Sequence, residues 1–540
     1  MPQIPRILTI PLLLLLAAAA CPAQSPVTAT LDPSTHHQTM VGFGGALTWY
    51  SNWVFHGSNA DAINQLMFED LGLDIVRFQN WYFPDDYPNN KDVAGMPDES
   101  HWDGTTDFYE SAMSYNPDIK VLLSSWGPPA TLKSNDDSRN GGTLKKVEGE
   151  FVYDQYAQYW VDTLDRLEFV PDYLSIQNEP GYTASWTSCV WRPTETEDFA
   201  GYDKAIDAVY DVIKDRPEQP LLIGAEVENI GNTQWDNSLN IFREFTTPLK
   251  SRDHVVGYAY HLYNIWRIDK IDTVIPQMHI IRDEFSEKPS FMTEYSREFA
   301  GWLETSRIIQ NSLIEANTSA YFHWKLAWIA ADNPEQESTM ISVNWAGDYA
   351  IHENYYAIKH FSKFMDAGYI RVGMSGSDST LRISAFIRPD GRNLVIHALN
   401  AATGERSVDW NLATSDVASV MAVRSTEGSL FTDIGSQDLS QQHNLPAESL
   451  TTYVIDLNNS LRPDLDPVAL LDKSFDLQAN SVSLTVQNQP DVTFTLWHSS
   501  DMQTWTEVTD ATIVEGETTT TLTDPSADSY PSFYRVRGDY

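Results

Sequence analysis

The chain has 540 residues, with 75 acidic and 35 basic side chains and a formal charge of −40. Phosphate recognition needs clustered Lys and Arg, so this balance argues against nucleic acid or an anionic membrane as partner. Hydrophobic residues make up 42% of the chain, enough for large cores, and the length suggests about three domains.

Residues 1–23 have the layout of a secretory signal: Arg6, the apolar run LLLLLAAAA, then small residues before Cys21. Ala18, Ala19 and Ala20 before Cys21 resemble a bacterial lipoprotein site, so lipidation of Cys21 is one expectation and simple cleavage the other. In the body of the chain Cys189 stands alone, which leaves no internal disulfide framework and no Cys-based metal site. No other metal-ligand spacing appears, so neither a metal nor a cofactor is expected.

Val27 to Leu31 reads as a short strand followed by the turn Asp32-Pro33-Ser34. Val41 to Ala46, VGFGGA, is a strand whose glycines permit close approach of a ligand or a neighbouring strand. It lacks the GxGxxG order and the acidic partner of a nucleotide site. Ile63, Leu66, Met67 and Leu71 fall at helical spacing up to Gly72. Leu73 to Phe78 is the next strand, with Arg77 near its end; a buried Arg there needs a carboxylate across the barrel.

The alternation of strand and helix continues. Strands are expected at Lys120–Ser125, Tyr173–Pro180, Leu221–Glu226, Val255–Tyr263, Pro289–Tyr295 and Ser319–Trp324. Helices are marked by Tyr156 and Trp160, by Ile206 and Val209, by Ile275 and Met278, by Ile308 and Ile309, and by Ile358 and Phe361. With VGFGGA this makes eight strands, the pattern of one (β/α)₈ barrel over residues 41–366 whose long loops open on the C-terminal face. From Ile370 the pattern changes to short alternating strands, a side β-sandwich over 24–40 and 367–458. Residues 459–467 read as a linker and 468–540 as a small all-β module, where Trp497 or Trp505 are candidates for glycan contact.

Two strands end in a way that suits chemistry rather than a core. YLSIQNEP turns from Ile176 to Gln177, Asn178 and Glu179, and PSFMTEY runs from Met292 to Thr293 and Glu294. Paired carboxylates at the C-terminal rim of a barrel suit glycosidic hydrolysis, one protonating the leaving oxygen and the other facing the forming oxocarbenium. Seventeen Trp and twenty-five Tyr supply flat faces for sugar rings, although large rings also fill cores.

These motifs, with GFGGA, SSWGPP, SIQNEP, MTEY and YYAIKHFSKFMDAGYIRV in order, resemble glycoside hydrolase family 30, retaining β/α-barrel glycosidases. The resemblance covers residues 28–457 and implies a barrel packed on a side sandwich, the segment before VGFGGA adding a strand to that sandwich. It implies Glu179 as acid/base and Glu294 as nucleophile. Arg77 is the candidate cation beside a carboxylate, and Asn178 a ligand of the sugar 2-hydroxyl. His261 or Tyr263 would donate to Glu294. Trp126 and Trp324 would line the reacting sugar's subsite. Arg297 is a candidate for reading a glucuronate branch.

The expected activity is that of a secreted or cell-surface retaining hydrolase of β-1,4-xylan, monomeric, with a polysaccharide as its partner. Attachment to the surface would run through lipidated Cys21 or the last module. The alternatives are a β-1,6-glucanase, a hydrolase of β-glucosides or glucosylceramide, or a non-catalytic carbohydrate-binding protein.

Overall fold

Eight parallel strands close into a ring, each hydrogen-bonded to the next in chain order: Gly42–Leu47, Ile75–Gln79, Lys120–Ser124, Tyr173–Ser175, Leu221–Val227, Val255–His261, Ser290–Glu294 and Thr318–His323, which pairs back with the first. The computed structural model describes residues 25–48, 54, 57–82, 98–329, 338–344, 346–461, 470–476, 481–488, 492–499, 506–516, 518–525 and 533–539. The signal segment with Cys21, Trp49, Trp53, Trp505 and most of the 459–467 stretch lie outside these residues. Among the described residues no helix is long and apolar enough to cross a membrane.

The barrel strands are buried on both faces, which explains their near-continuous apolar runs. One face fills the ring with Ile75, Leu122, Tyr173, Ile223, Phe291 and Phe322. The other packs on helices such as Tyr153–Arg166, which turns Tyr156, Ala157, Trp160 and Leu164 inward at helical spacing. Gly44 is needed for closure: a Cβ there would stand 2.5 Å from the Ile75 carbonyl oxygen and 2.6 Å from the Phe322 ring.

Several elements differ from expectation. The Ile63–Leu71 stretch divides into an α-helix, Ala60–Gln65, and a π-helical turn, Leu66–Asp70, before Gly72 at φ +64. The helix Asp98–Tyr115 was not anticipated, because DESHWDGTTDFYESAMSY carries no clean apolar stripe. The first strand extends to Thr39, and the expected turn survives inside it as an irregularity, with the Ser34 amide donating to Asp32 Oδ1.

The side β-sandwich is built from Val27–Thr39 and the strands between Ile370 and Leu457. Val27–Thr39 runs antiparallel to Ile370–Met374 and parallel to Arg406–Asn411, so the chain's first strand lies inside a sheet made mainly from its later part. The last two barrel helices, Trp302–Glu315 and Glu353–Ser362, pack against this sheet. At that seam His360 is fully buried, its two ring nitrogens bonded to the Thr452 and Ser425 hydroxyls at 2.8 Å. Burial holds the His360 imidazole down at about 3.

Beyond the sandwich, four strands (Leu470–Asp476, Ser481–Gln487, Thr519–Asp524 and Thr512–Glu515) and three more (Thr506–Glu507, Thr493–Ser499 and Phe533–Asp539) form a small all-β unit. Val486, Phe494, Leu496 and Leu522 form its core. Trp497 is half-buried there, and its indole N–H donates to Thr495 Oγ1.

Candidate active site

Arg77 organises the rim from the second barrel strand. It is fully buried. Its Nε donates to Glu226 Oε1 at 2.8 Å, its Nη1 to Glu294 Oε2 at 2.8 Å and its Nη2 to Asn178 Oδ1 at 2.6 Å. Ser124 donates to the other Glu226 oxygen at 2.9 Å. Three strands are thereby tied to one guanidinium, the geometry in which Arg outperforms Lys.

The fourth strand leaves its ladder after Ser175 but stays held at both edges. The Asn178 amide donates to the Ser125 carbonyl and the Glu179 amide to the Glu226 carbonyl. Glu179 sits at φ +50, a region non-glycine residues rarely occupy and functional sites often do. Gln177 faces away from the cavity: it donates to the Trp126 and Asn178 carbonyls and accepts from the Trp191 indole. Of the three polar residues at this strand end, Gln177 fixes the turn, while Asn178 and Glu179 line the cavity.

The sixth strand ends at His261 and the seventh at Glu294, paired side by side in register. Tyr263 donates to Glu294 Oε1 at 2.8 Å, as expected. His261 does not serve Glu294: its Nδ1 bonds Glu179 Oε1 at 3.1 Å, and its Nε2 lies 3.9 Å from Glu294 and 4.0 Å from Glu226, beyond hydrogen-bonding reach. The one-residue register break between Met292 and Glu294 against the sixth strand places its extra residue, Thr293, on the seventh strand and so shifts Glu294, while His261 follows the inward Ala259 at regular alternation.

Charge at this rim is tightly balanced. Burial alone would lower the His261 imidazole, but the carboxylates of Glu294, Glu179 and Glu226 outweigh it and hold it up at about 9. Burial would raise Glu226, but Arg77 and then His261 bring it down to about 2. Burial raises Glu294 above the ordinary range, against the pull of His261, Arg77 and the Tyr263 hydroxyl. One donor atom each from Glu179, His261 and Glu294 lie within 4.8 Å of one another. Such a trio resembles a metal site, but an imidazolium is no ligand, and Arg77 already supplies the positive charge.

These residues open into a cavity of about 820 Å³ lined by Trp126, Asn178, Glu179, Trp186, Tyr263, Glu294, Arg297 and Trp324, among others. Trp126 and Trp324 stand 5.7 Å apart between ring centres, and Trp126 also covers Arg77 at 4.6 Å. Arg297 lies 4.9 Å over the Tyr263 ring, with its Nε buried and unpartnered. Trp191 and Trp81 are buried in the core. Burial pushes the Cys189 thiol up to about 12, so it stays protonated and is no nucleophile.

Sequence reasoning missed Glu226 and Glu228. Strict alternation from the inward Ile223 would turn Glu226 toward the helices. A register break between Ala225 and Val227, with Glu226 at φ +57, rotates it into the ring instead. A usable signal was present: LLIGAEVEN ends in polar residues as the fourth and seventh strands do.

No protein-family model matches the chain. It is 23% identical to glucuronoxylanase XynC of Bacillus subtilis, over 79% of this chain and 91% of that one. It is 23% identical to a putative glucosylceramidase 1 of Caenorhabditis elegans, over 68% and 75%. It is 25% identical to endo-1,6-beta-D-glucanase neg1 of Aspergillus fumigatus, over 67% and 79%. The catalytic domain of GH30 xylanase C from Talaromyces cellulolyticus superposes with a TM-score of 0.62 at 18% identity, over 79% of this chain and 99% of that one. Sequence relatives and fold, taken with the barrel and its side sandwich, support membership of glycoside hydrolase family 30.

Proposed function

We propose that the chain is a retaining β-glycosidase acting on β-1,4-xylan by double displacement, with Glu294 as nucleophile and Glu179 as acid/base. The observation that carries this reading is a pair of carboxylates with oxygens within 4.8 Å of each other in a tryptophan-lined cavity. Retaining enzymes hold their carboxyls about 5–5.5 Å apart, whereas inverting ones leave room for water at about 6.5–9.5 Å.

In the first step Glu294 attacks the anomeric carbon and Glu179 gives its proton to the leaving oxygen. Arg77 and Tyr263 hold Glu294 in place, one donor on each oxygen. In the second step Glu179 takes a proton from water, which attacks the glycosyl-enzyme and frees Glu294. His261, bonded to Glu179, keeps that carboxyl oriented through both steps. Asn178 has its oxygen engaged by Arg77, which leaves its amide N–H groups for the sugar 2-hydroxyl.

The coverage of the glucuronoxylanase supports xylan, and Arg297 on the cavity wall, its Nε without a partner among the described residues, suits a glucuronate branch. The endo-1,6-glucanase at 25% identity favours β-1,6-glucan as the second reading. The signal-like leader suits secretion, with Cys21 or the last module as anchor, and the protein would act as a monomer. Glu294→Gln should lower turnover on xylan by about 10⁴-fold or more while the folded state persists; unchanged release of reducing sugar would refute the hydrolase reading. Product analysis on xylan and β-1,6-glucan decides the substrate.

A further inference from the structure

The rim holds one more acid that the Arg77 network does not use. Glu228 follows the fifth strand, is 5% exposed and lines the same cavity as Glu179 and Glu294. Beyond its own amide N–H, neither carboxyl oxygen finds a donor among the described residues. Buried polar groups are nearly always paired, and an unpaired one facing a cavity is a group waiting for a ligand.

Its place identifies the ligand. Gly181, two residues after Glu179, leaves room for the carboxyl: a Cβ there would stand 3.1 and 3.3 Å from its two oxygens. Glu228 therefore lies behind the Glu179 turn, on the acid/base side of the cavity. The amides of Asn229, Asn232, Gln234 and Asn264 line the same cavity, as do the indoles of Trp126, Trp324 and Trp328. Asn264 Oδ1 is also buried and unpartnered. An acid that protonates a leaving oxygen must stand beside the sugar that departs. The groups around Glu179 therefore surround that sugar.

We propose that Glu228, together with Asn264, hydrogen-bonds a hydroxyl of the neutral sugar on the leaving-group side of the cut bond and thereby selects that sugar. This rests on the hydrolase reading above. Burial and the nearby Glu179 push the Glu228 carboxyl up to about 8, so near neutrality it offers both an O–H donor and an acceptor. Arg297 is the cation among the described lining residues, so an acidic branch belongs near it and away from the leaving sugar. A site built to bond a hydroxyl discriminates strongly, because without its partner the buried group stays unpaired.

The test uses two substrates with one glycone. One is the oligosaccharide that the wild-type chain cuts best among β-1,4-xylo- and β-1,6-gluco-oligosaccharides. The other is the 2,4-dinitrophenyl β-glycoside, whose leaving group is not a sugar and needs no protonation. Glu228→Ala should lower kcat/KM on the oligosaccharide by about 10- to 100-fold and leave the dinitrophenyl glycoside within about twofold. Glu228→Gln keeps a donor and an acceptor and should restore the oligosaccharide rate to within about threefold of wild type. Asn264→Ala should repeat the Glu228→Ala pattern more weakly. The dinitrophenyl rate also reports that each variant is folded. Equal losses on both substrates, no loss on the oligosaccharide, or no recovery with Glu228→Gln would overturn the proposal while the hydrolase reading stands. A wild-type chain inactive on every glycoside would overturn both.

Discussion

His261 at the barrel rim and His360 at the barrel–sandwich seam are equally cut off from water, yet they titrate in opposite directions. His261 is held up at about 9 and His360 down at about 3. Burial disfavours the imidazolium at both places. At the rim three carboxylates overturn that penalty; at the seam two hydroxyls, from Thr452 and Ser425, satisfy the ring without charge. Desolvation thus sets no protonation state by itself. The rim is charged and internally compensated, the seam polar and neutral, and only the rim has protons to move.

The sharpest break of this contrast is Arg77→Met. Removing the cation leaves Glu226 and Glu294 buried without a counter-charge, and the cost should be about 3–5 kcal/mol. Chemical denaturation should show that loss, and adding Glu226→Gln should recover part of it.

A pH series separates the two regions next. The folded state holds His261 protonated above its ordinary 6.5, so its contribution is complete below about 6.5 and is lost as pH rises through about 9. His360 stays neutral when folded, so its contribution is present above 6.5 and is lost as pH falls toward about 3. Each slope is about 1.4 kcal/mol per pH unit for one proton. His360→Gln should flatten the acid limb of a melting-temperature profile and leave the alkaline limb unchanged. The smallest effect is Ser425→Ala, which leaves the His360 ring nitrogen and the Phe431 amide without their acceptor or donor and should cost about 1–3 kcal/mol.

The rim was legible where chemistry coincided with strand ends. Glu179 and Glu294 follow apolar runs, and an Arg at position 77 in a buried strand demands an acid. Tyr263 falls two residues past its strand, where the loop turns back toward Glu294. What stayed hidden depends on local departures from regular backbone. Glu226 is turned inward by a register break that no periodicity foretells. That His261 bonds Glu179 rather than Glu294 depends on a side-chain placement that strand position alone does not give. That Glu228 is unpaired is recognisable only when its surroundings are known. The helix Asp98–Tyr115 lacked the apolar stripe that revealed the others.

The placement of Val27–Thr39 bears on how the protein is made. Leu31 pairs with Met374 and Val27 with Val408, so a strand synthesised before the barrel waits for partners synthesised after it. During translation the barrel can close while that strand remains an open edge, exposed to pairing with other nascent chains. Its bulged, polar second half, with Asp32, Ser34, His36 and His37 exposed, makes a poor template for such pairing until Ile370–Met374 arrives.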